Sequence, residues 1–235
     1  MKSRLNFLSI FLKLAVIILG FVGICSPSIS DQFMSTSKLF YFTIQSNIFI
    51  MAICLVFLIF EILRIFFHRA VAIPNWLRAI KFVCTVAITL TFLVFTCLLM
   101  PSLINAGMAD YLIRPANLCC HNLVPILALV DFLVFDHVYI SKKFSFLQGV
   151  ILPLIYLPFI LICSVSGIDF GNGAIVPYFF LDYVTNGWFK IGDGKLGVFY
   201  WIIILVIIVI GLAYLLMLLK NRIALKVSVA STKKD

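Results

Sequence analysis

Four polar residues crowd the stretch FTIQSN, residues 42–47, immediately before an apolar run. At about 100° per helical residue, Thr43, Ser46 and Asn47 fall within about 60° of one another, and Gln45 points away. A second polar group lies in PANLCCHNLVPILALVDFLVFD, residues 115–136. On a helix there, His121 stands about 40° to one side of Asn117 and Asp131 about 40° to the other, so the three share a stripe. Counted from the same end of their helices, Thr43 is about 7 Å deep and His121 about 6 Å. A hydroxyl and an imidazole at one depth form a candidate nucleophile and base: the ring takes the hydroxyl proton as oxygen attacks a carbonyl. Asn47 and Asn117 are candidate donors to the oxyanion that would form, with Ser46 on the same wall. The competing reading is a buried histidine satisfied by a backbone carbonyl or a threonine hydroxyl, with no chemistry attached.

The elements that must carry these residues are set by composition. The 235 residues are 64% hydrophobic and 11% charged, with mean hydropathy +1.20. Such a chain cannot solvate a globular surface and reads as an integral membrane protein. At about 20 residues per span, six stretches qualify: Leu5–Cys25, Leu39–Glu61, Leu77–Met100, Asn117–Asp136, Phe144–Val165 and Leu196–Leu219. Continuous apolar runs, not alternating ten-residue strands, exclude a β-barrel. The expected fold is all-α, a polytopic bundle of six transmembrane helices forming a single membrane domain over residues 1–235. The start is basic and then apolar, as in a signal peptide, but Lys13 interrupts a long run, so an uncleaved first span is expected. Pro125, Pro153 and Pro158 should kink the fourth and fifth spans.

Basic residues give the orientation. Lys2, Arg4, Arg64, Arg69, Arg78, Lys81, Lys142, Lys143, Lys220, Arg222, Lys226, Lys233 and Lys234 fall on one side, which places both termini in the cytoplasm. The +9 net charge is then a topology signal with some attraction to anionic lipid, and no soluble basic module is left to bind nucleic acid. The longest connection, residues 166–195, is external. Its middle, VPYFFLDYV, is too apolar for a free loop and should lie in the interface or fold back over the bundle, with Tyr178, Tyr183 and Trp188 as interfacial aromatics.

The seven cysteines mostly lie inside spans as small apolar side chains, although a bridge from Cys25 to Cys119 or Cys120 is geometrically possible. No CxxC pair is present, and the three histidines do not cluster with carboxylates at ligand spacing, so no metal or cofactor is expected. The first core contains Lys13 and the fourth Asp131, while the other cores read as free of charge. Each charge alone would be expensive at its depth, so an interhelical Lys13–Asp131 ion pair is expected; a proton or ion relay is the alternative. Glu61, Asp136 and His137 sit at the inner edge, solvated or paired, and His68 belongs to the basic inner connection.

FTIQSN in span two, PAN, LCC, HNLVP and ILALVDF in span four, and VPYFFLDYVTNGW before span six together resemble the androgen-induced / androgen-dependent TFPI-regulating protein family, and more closely its bacterial six-helix relatives. The resemblance covers nearly the whole chain in span number and motif order. It implies a location in a bacterial cell membrane and an intramembrane hydrolase of fatty acid esters that uses a threonine and a histidine, matching Thr43 and His121. Asp182 is part of the resemblance; it can fold over the pocket to orient His121 or a head group, or simply be a turn residue. The QSN that follows Thr43 is more polar than the animal proteins lead one to expect, so the substrate is not carried over. The expected function is a threonine-type hydrolase of membrane lipid esters, with Thr43 as nucleophile and His121 as base. The alternatives are a transporter or channel for a small solute or proton lined by Asp131, Lys13 and His121, and a non-catalytic lipid-binding or scaffold protein.

Overall fold

The computed structural model describes residues 2–27, 36–67, 72–136, 144–171, 173–192 and 194–232. Asp31, His68, Arg69, His137, Lys142, Lys143, Asp193, Lys233 and Lys234 lie outside these residues. Six helices are long and apolar enough to cross a membrane. They are α1 (Lys2–Cys25), α2 (Phe42–Phe66), α3 (Asn75–Asn105), α4 (Pro115–Phe135), α5 (Ser145–Val165) and α6 (Val198–Thr232). The chain is an integral, multi-pass membrane protein. The span positions agree with the hydropathy reading to within a few residues at most ends. The exceptions have local causes. Residues 36–40 form a tight 3-10 turn, so α2 starts at Phe42. The last helix runs on to Thr232.

Two of the helices carry a π-turn, and α5 opens with a 3-10 stretch, Ser145–Val150. α3 contains a π-turn at Phe95–Leu99 and α4 another at Leu118–Leu123. In each the backbone bond reaches back five residues instead of four: Met100 N–H to Phe95 O, and Val124 N–H to Cys119 O. Such turns accommodate one extra residue and cluster at functional sites. Pro125 directly follows the second turn, and Pro158 lies within α5.

α3 is the most buried span and the centre of the bundle. Val16, Ile50, Phe57, Ile88 and Val124 pack α1, α2 and α4 around one side of it. Phe82, Val86, Phe132, Val150 and Ala213 pack α4, α5 and α6 around the other. Large apolar side chains such as Phe11, Phe21, Leu55, Ile59, Ile155 and Ile207 face outward, as a helix surrounded by hydrocarbon requires.

The segment between α5 and α6 folds back over one end of the bundle. Phe170, Val176, Tyr178, Phe180 and Leu181 are buried against Tyr156, Ile160 and Val198. The segment includes one helical turn, Tyr183–Asn186, and a minimal antiparallel hairpin of β1 (Ile191–Gly192) and β2 (Lys195–Leu196). Of the three aromatics expected at the interface, Trp188 is exposed and stacks on the partly exposed Tyr183, but Tyr178 is only 8% exposed and belongs to the core. All seven cysteines are free, so Cys25 is not bridged to Cys119 or Cys120.

Candidate functional site

α2 opens without a side-chain cap. Tyr41 is extended, and its carbonyl accepts from the N–H groups of Ile44 and Gln45. Thr43 is therefore in the first turn, where backbone N–H groups have no helical acceptor. Its N–H donates instead to the Tyr178 hydroxyl, at 3.4 Å. Its own hydroxyl lies 3.2 Å from Nε2 of His121. The two groups paired by depth counting are thus in hydrogen-bond contact.

His121 sits in the π-turn of α4, and its ring stacks on Phe95, which opens the π-turn of α3. The ring centroids are 4.0 Å apart at 18°. The two irregular turns therefore meet at the imidazole. Its Nδ1 is buried without a partner in hydrogen-bond geometry, with the carbonyl of Asn117, one turn back, as the backbone group beside it. A proton on Nδ1 leaves Nε2 free to accept from Thr43. Thr96 Oγ1, in the α3 π-turn, and Asn47 Oδ1 are also buried without partners among the described residues. Unsatisfied polar atoms of this kind are uncommon in finished cores and concentrate where a ligand or chemistry is served.

The expected oxyanion donors are otherwise employed. Because Val124 bonds back to Cys119, the Cys120 carbonyl is left over, and Asn47 Nδ2 donates to it at 3.0 Å and to Thr43 O at 2.8 Å. Asn47 thus ties the first turn of α2 to the π-turn and fixes the Thr43–His121 separation. Asn117 turns its amide to Tyr111 O at 2.6 Å. Ser46 bonds Thr43 O at 3.0 Å and Thr91 Oγ1 at 2.8 Å, linking α2 to α3.

Asp182 does not reach over the pocket. Its Oδ1 accepts from Val184 N at 3.1 Å and Thr185 N at 2.9 Å, capping the short helical turn. Partial burial works against its ionisation, but the bonds from Thr185 and Val184 and the nearby Lys195 outweigh that and hold the carboxyl below its ordinary 3.8.

Thr43 opens onto a cavity of about 680 Å³, measured out to its open mouth. Leu90, Val94, Leu157, Leu205 and Val209 line it, with Thr43, Thr91, Tyr156 and Tyr178 also on its wall. Leu154, which is half exposed on the outer face of α5, lines it as well, so the cavity approaches the lipid-facing surface. Sequence reasoning missed Tyr178, Tyr156 and the supporting ring of Phe95. The run VPYFFLDYV carried a signal in its excess of apolar residues, but nothing in it says which ring turns inward.

At the other end of the bundle the expected pair exists and is part of a larger cluster. Lys13 Nζ is 2.7 Å from Asp131 Oδ1 and 3.0 Å from Glu61. Lys81 Nζ is 2.6 Å from Asp131 Oδ2 and 2.8 Å from Asp136. Ser9 bridges Lys13 and Glu61. Lys81, counted with the basic residues in or beside the second connection although it lies within Leu77–Met100, and Lys220, counted just past the last span, are fully buried within α3 and α6; Lys220 donates to Phe132 O at 2.6 Å. Between this cluster and Thr43 the interior is filled by Ile50, Cys54, Ile88 and Val124, each 0% exposed. Among the described residues no group of three His, Cys, Asp or Glu stands close enough to hold a metal.

Compared with family models, curated proteins and solved structures, the chain has no match.

Proposed function

We propose that the protein is an intramembrane hydrolase of acyl esters, with Thr43 as nucleophile and His121 as base. The observation that carries this reading is the 3.2 Å contact between Thr43 Oγ1 and His121 Nε2, with Thr43 on the wall of an apolar cavity. A cavity lined mainly by Leu, Val and Phe suits a ligand that is mostly hydrocarbon with one reactive end. The acyl chain lies among Leu90, Val94, Leu205 and Val209, and the ester carbonyl reaches Thr43. The Thr43 oxygen adds to the carbonyl carbon as its proton passes to His121 Nε2. His121 returns that proton to the departing alkoxide, leaving an acyl-threonine. Water then gives a proton to His121 and attacks, releasing the carboxylic acid and restoring the threonine. The resemblance to the family of fatty acid ester hydrolases points to the same chemistry at the same two residues, in a bacterial cell membrane, and the one-sided basic residues favour cytoplasmic termini. The Lys13–Asp131–Lys81 cluster is structural in this reading, since ion-paired charges are the form in which a bilayer tolerates them.

The test is hydrolysis of p-nitrophenyl acyl esters by the purified protein in detergent. Thr43→Val keeps shape and removes the hydroxyl; His121→Gln keeps hydrogen bonding and removes the base. Each should lower kcat by at least about 10³-fold, the loss typical of removing one member of a nucleophile–base unit. Activity unchanged in both variants removes Thr43 and His121 from the chemistry, and a wild type that cleaves no ester leaves the polar residues as interhelical glue in a non-catalytic lipid-binding protein.

A further inference from the structure

An acyl transfer needs donors aimed at the oxygen of the tetrahedral intermediate, and both asparagines near Thr43 have turned their amides elsewhere. Two other groups face the right place. One is the backbone N–H of Thr43, in the first turn of a 25-residue helix whose positive end favours an anion. Serine hydrolases use the nucleophile's own N–H in the same way. The other is the hydroxyl of Tyr178, which lines the cavity with Thr43 and lies within reach of both its N–H and its hydroxyl.

We infer that the Thr43 N–H and the Tyr178 hydroxyl together form the oxyanion hole of this site, so that the segment covering the bundle supplies a catalytic residue. The inference rests on the hydrolase reading above. In the free protein the phenol oxygen occupies the Thr43 N–H at 3.4 Å, a long bond by the usual 2.9–3.0 Å standard. A substrate carbonyl oxygen enters between the two groups and accepts from the Thr43 N–H, and the phenol, released from that N–H, donates its own hydrogen to the same oxygen as negative charge develops. No proton is transferred from tyrosine; the two donors only stabilise the charge until the carbonyl re-forms and the alkoxide leaves.

Tyr178 is placed firmly enough for this role. Its ring is stacked on Phe180, centroids 5.2 Å apart at 3°, and Tyr41 meets it edge-on at 5.9 Å. Tyr41 is itself tied to the covering segment through Phe170 O at 2.9 Å. Burial pushes the Tyr178 hydroxyl up to about 12 against the opposing hydrogen bonds from Thr43, so it remains a donor throughout the working pH range.

The experiment compares wild type, Thr43→Val and Tyr178→Phe in detergent, on an acyl ester and on its thionoester, whose sulfur is a poor acceptor. Tyr178→Phe keeps both ring contacts and removes only the oxygen. The expected result is a kcat lower by about 10²–10³-fold with little change in KM, together with a collapse of the wild-type preference for ester over thionoester. A full wild-type kcat in Tyr178→Phe, with Thr43→Val inactive, overturns the oxyanion assignment and leaves the hydrolase standing. A reduced kcat with the ester preference unchanged also overturns it, since that is the signature of a disturbed fold. A wild type that cleaves no ester, or a Thr43→Val as active as wild type, removes the hydrolase reading and the oxyanion hole with it.

Discussion

Lys81 closes on Asp131 from the side that Lys13 leaves open: one ammonium is 2.6 Å from Oδ2, the other 2.7 Å from Oδ1. A carboxylate shared by two buried cations cannot be replaced together with only one of them. Asp131→Asn takes from each ammonium its fully buried partner, leaving Lys13 with Glu61 and Lys81 with Asp136, and should cost about 3–5 kcal/mol, the usual loss on breaking a buried pair. Lys13→Met/Asp131→Leu should not restore wild-type stability, because Lys81 still lacks its inner partner and Glu61 loses Lys13. Melting in detergent, followed by helical circular dichroism, checks the order wild type, double variant, Asp131→Asn. Full recovery in the double variant would mean that Lys81 contributes nothing.

Gly23 sets how closely α1 approaches the π-turn that carries His121. A Cβ there would stand 2.6 Å from Cys120 Sγ and 2.8 Å from Cys119 Cβ. Gly23→Ala should cost about 1–3 kcal/mol, as overpacking does. It should also lower ester hydrolysis more than it lowers substrate binding, since the turn is displaced and the cavity is not. An unchanged kcat in a destabilised variant would separate the packing of α1 from the site.

Asp182 makes the covering segment sensitive to acid. Its folded pKa is depressed, so its stabilisation is complete above the ordinary carboxyl value of 3.8 and is lost as pH falls through the lower folded value. The protection of the Val184 and Thr185 amides, whose N–H groups it caps, measured against the unstructured exchange rate at the same pH, should fall in acid more in wild type than in Asp182→Ala. At neutral pH the alanine variant should lose about 1 kcal/mol of local stability, as loss of an N-cap does. Equal pH dependence in the two proteins would show that the cap carries no such weight.

Val206 and Val209 line the cavity from α6. Val206→Phe should shift preference toward shorter acyl esters, with kcat on the shortest substrates retained. Each methylene no longer buried removes about 0.8 kcal/mol of binding. A uniform drop across chain lengths would place the acyl chain elsewhere.

The six spans, the Thr43–His121 pair and the Lys13–Asp131 pair were legible because each follows from hydropathy, helical phase or depth. The oxyanion donors were not, and the reason is physical. Phase counting assumes about 3.6 residues per turn throughout. The π-turn at Leu118–Leu123 breaks that count between Asn117 and Asp131, and it also creates the spare Cys120 carbonyl that engages Asn47. Lys81, about one turn inside its span, was counted with the basic residues of the connection before it, whereas it runs inward to a carboxylate that already had one partner. Tyr178 was hidden for a different reason: residues 166–197 have no period, and burial of a loop aromatic depends on tertiary packing alone.

The stacked π-turns of α3 and α4 make the dyad depend on the residue count of two helices. Each holds one residue more than a regular helix of the same rise would, and the rings that touch, Phe95 and His121, belong to those two turns. A relative one residue shorter in either segment would keep six spans and the same hydropathy profile while its imidazole turned away from Thr43. The dyad would then be gained or lost by a single-codon insertion or deletion, an event that comparison of substituted positions alone does not register.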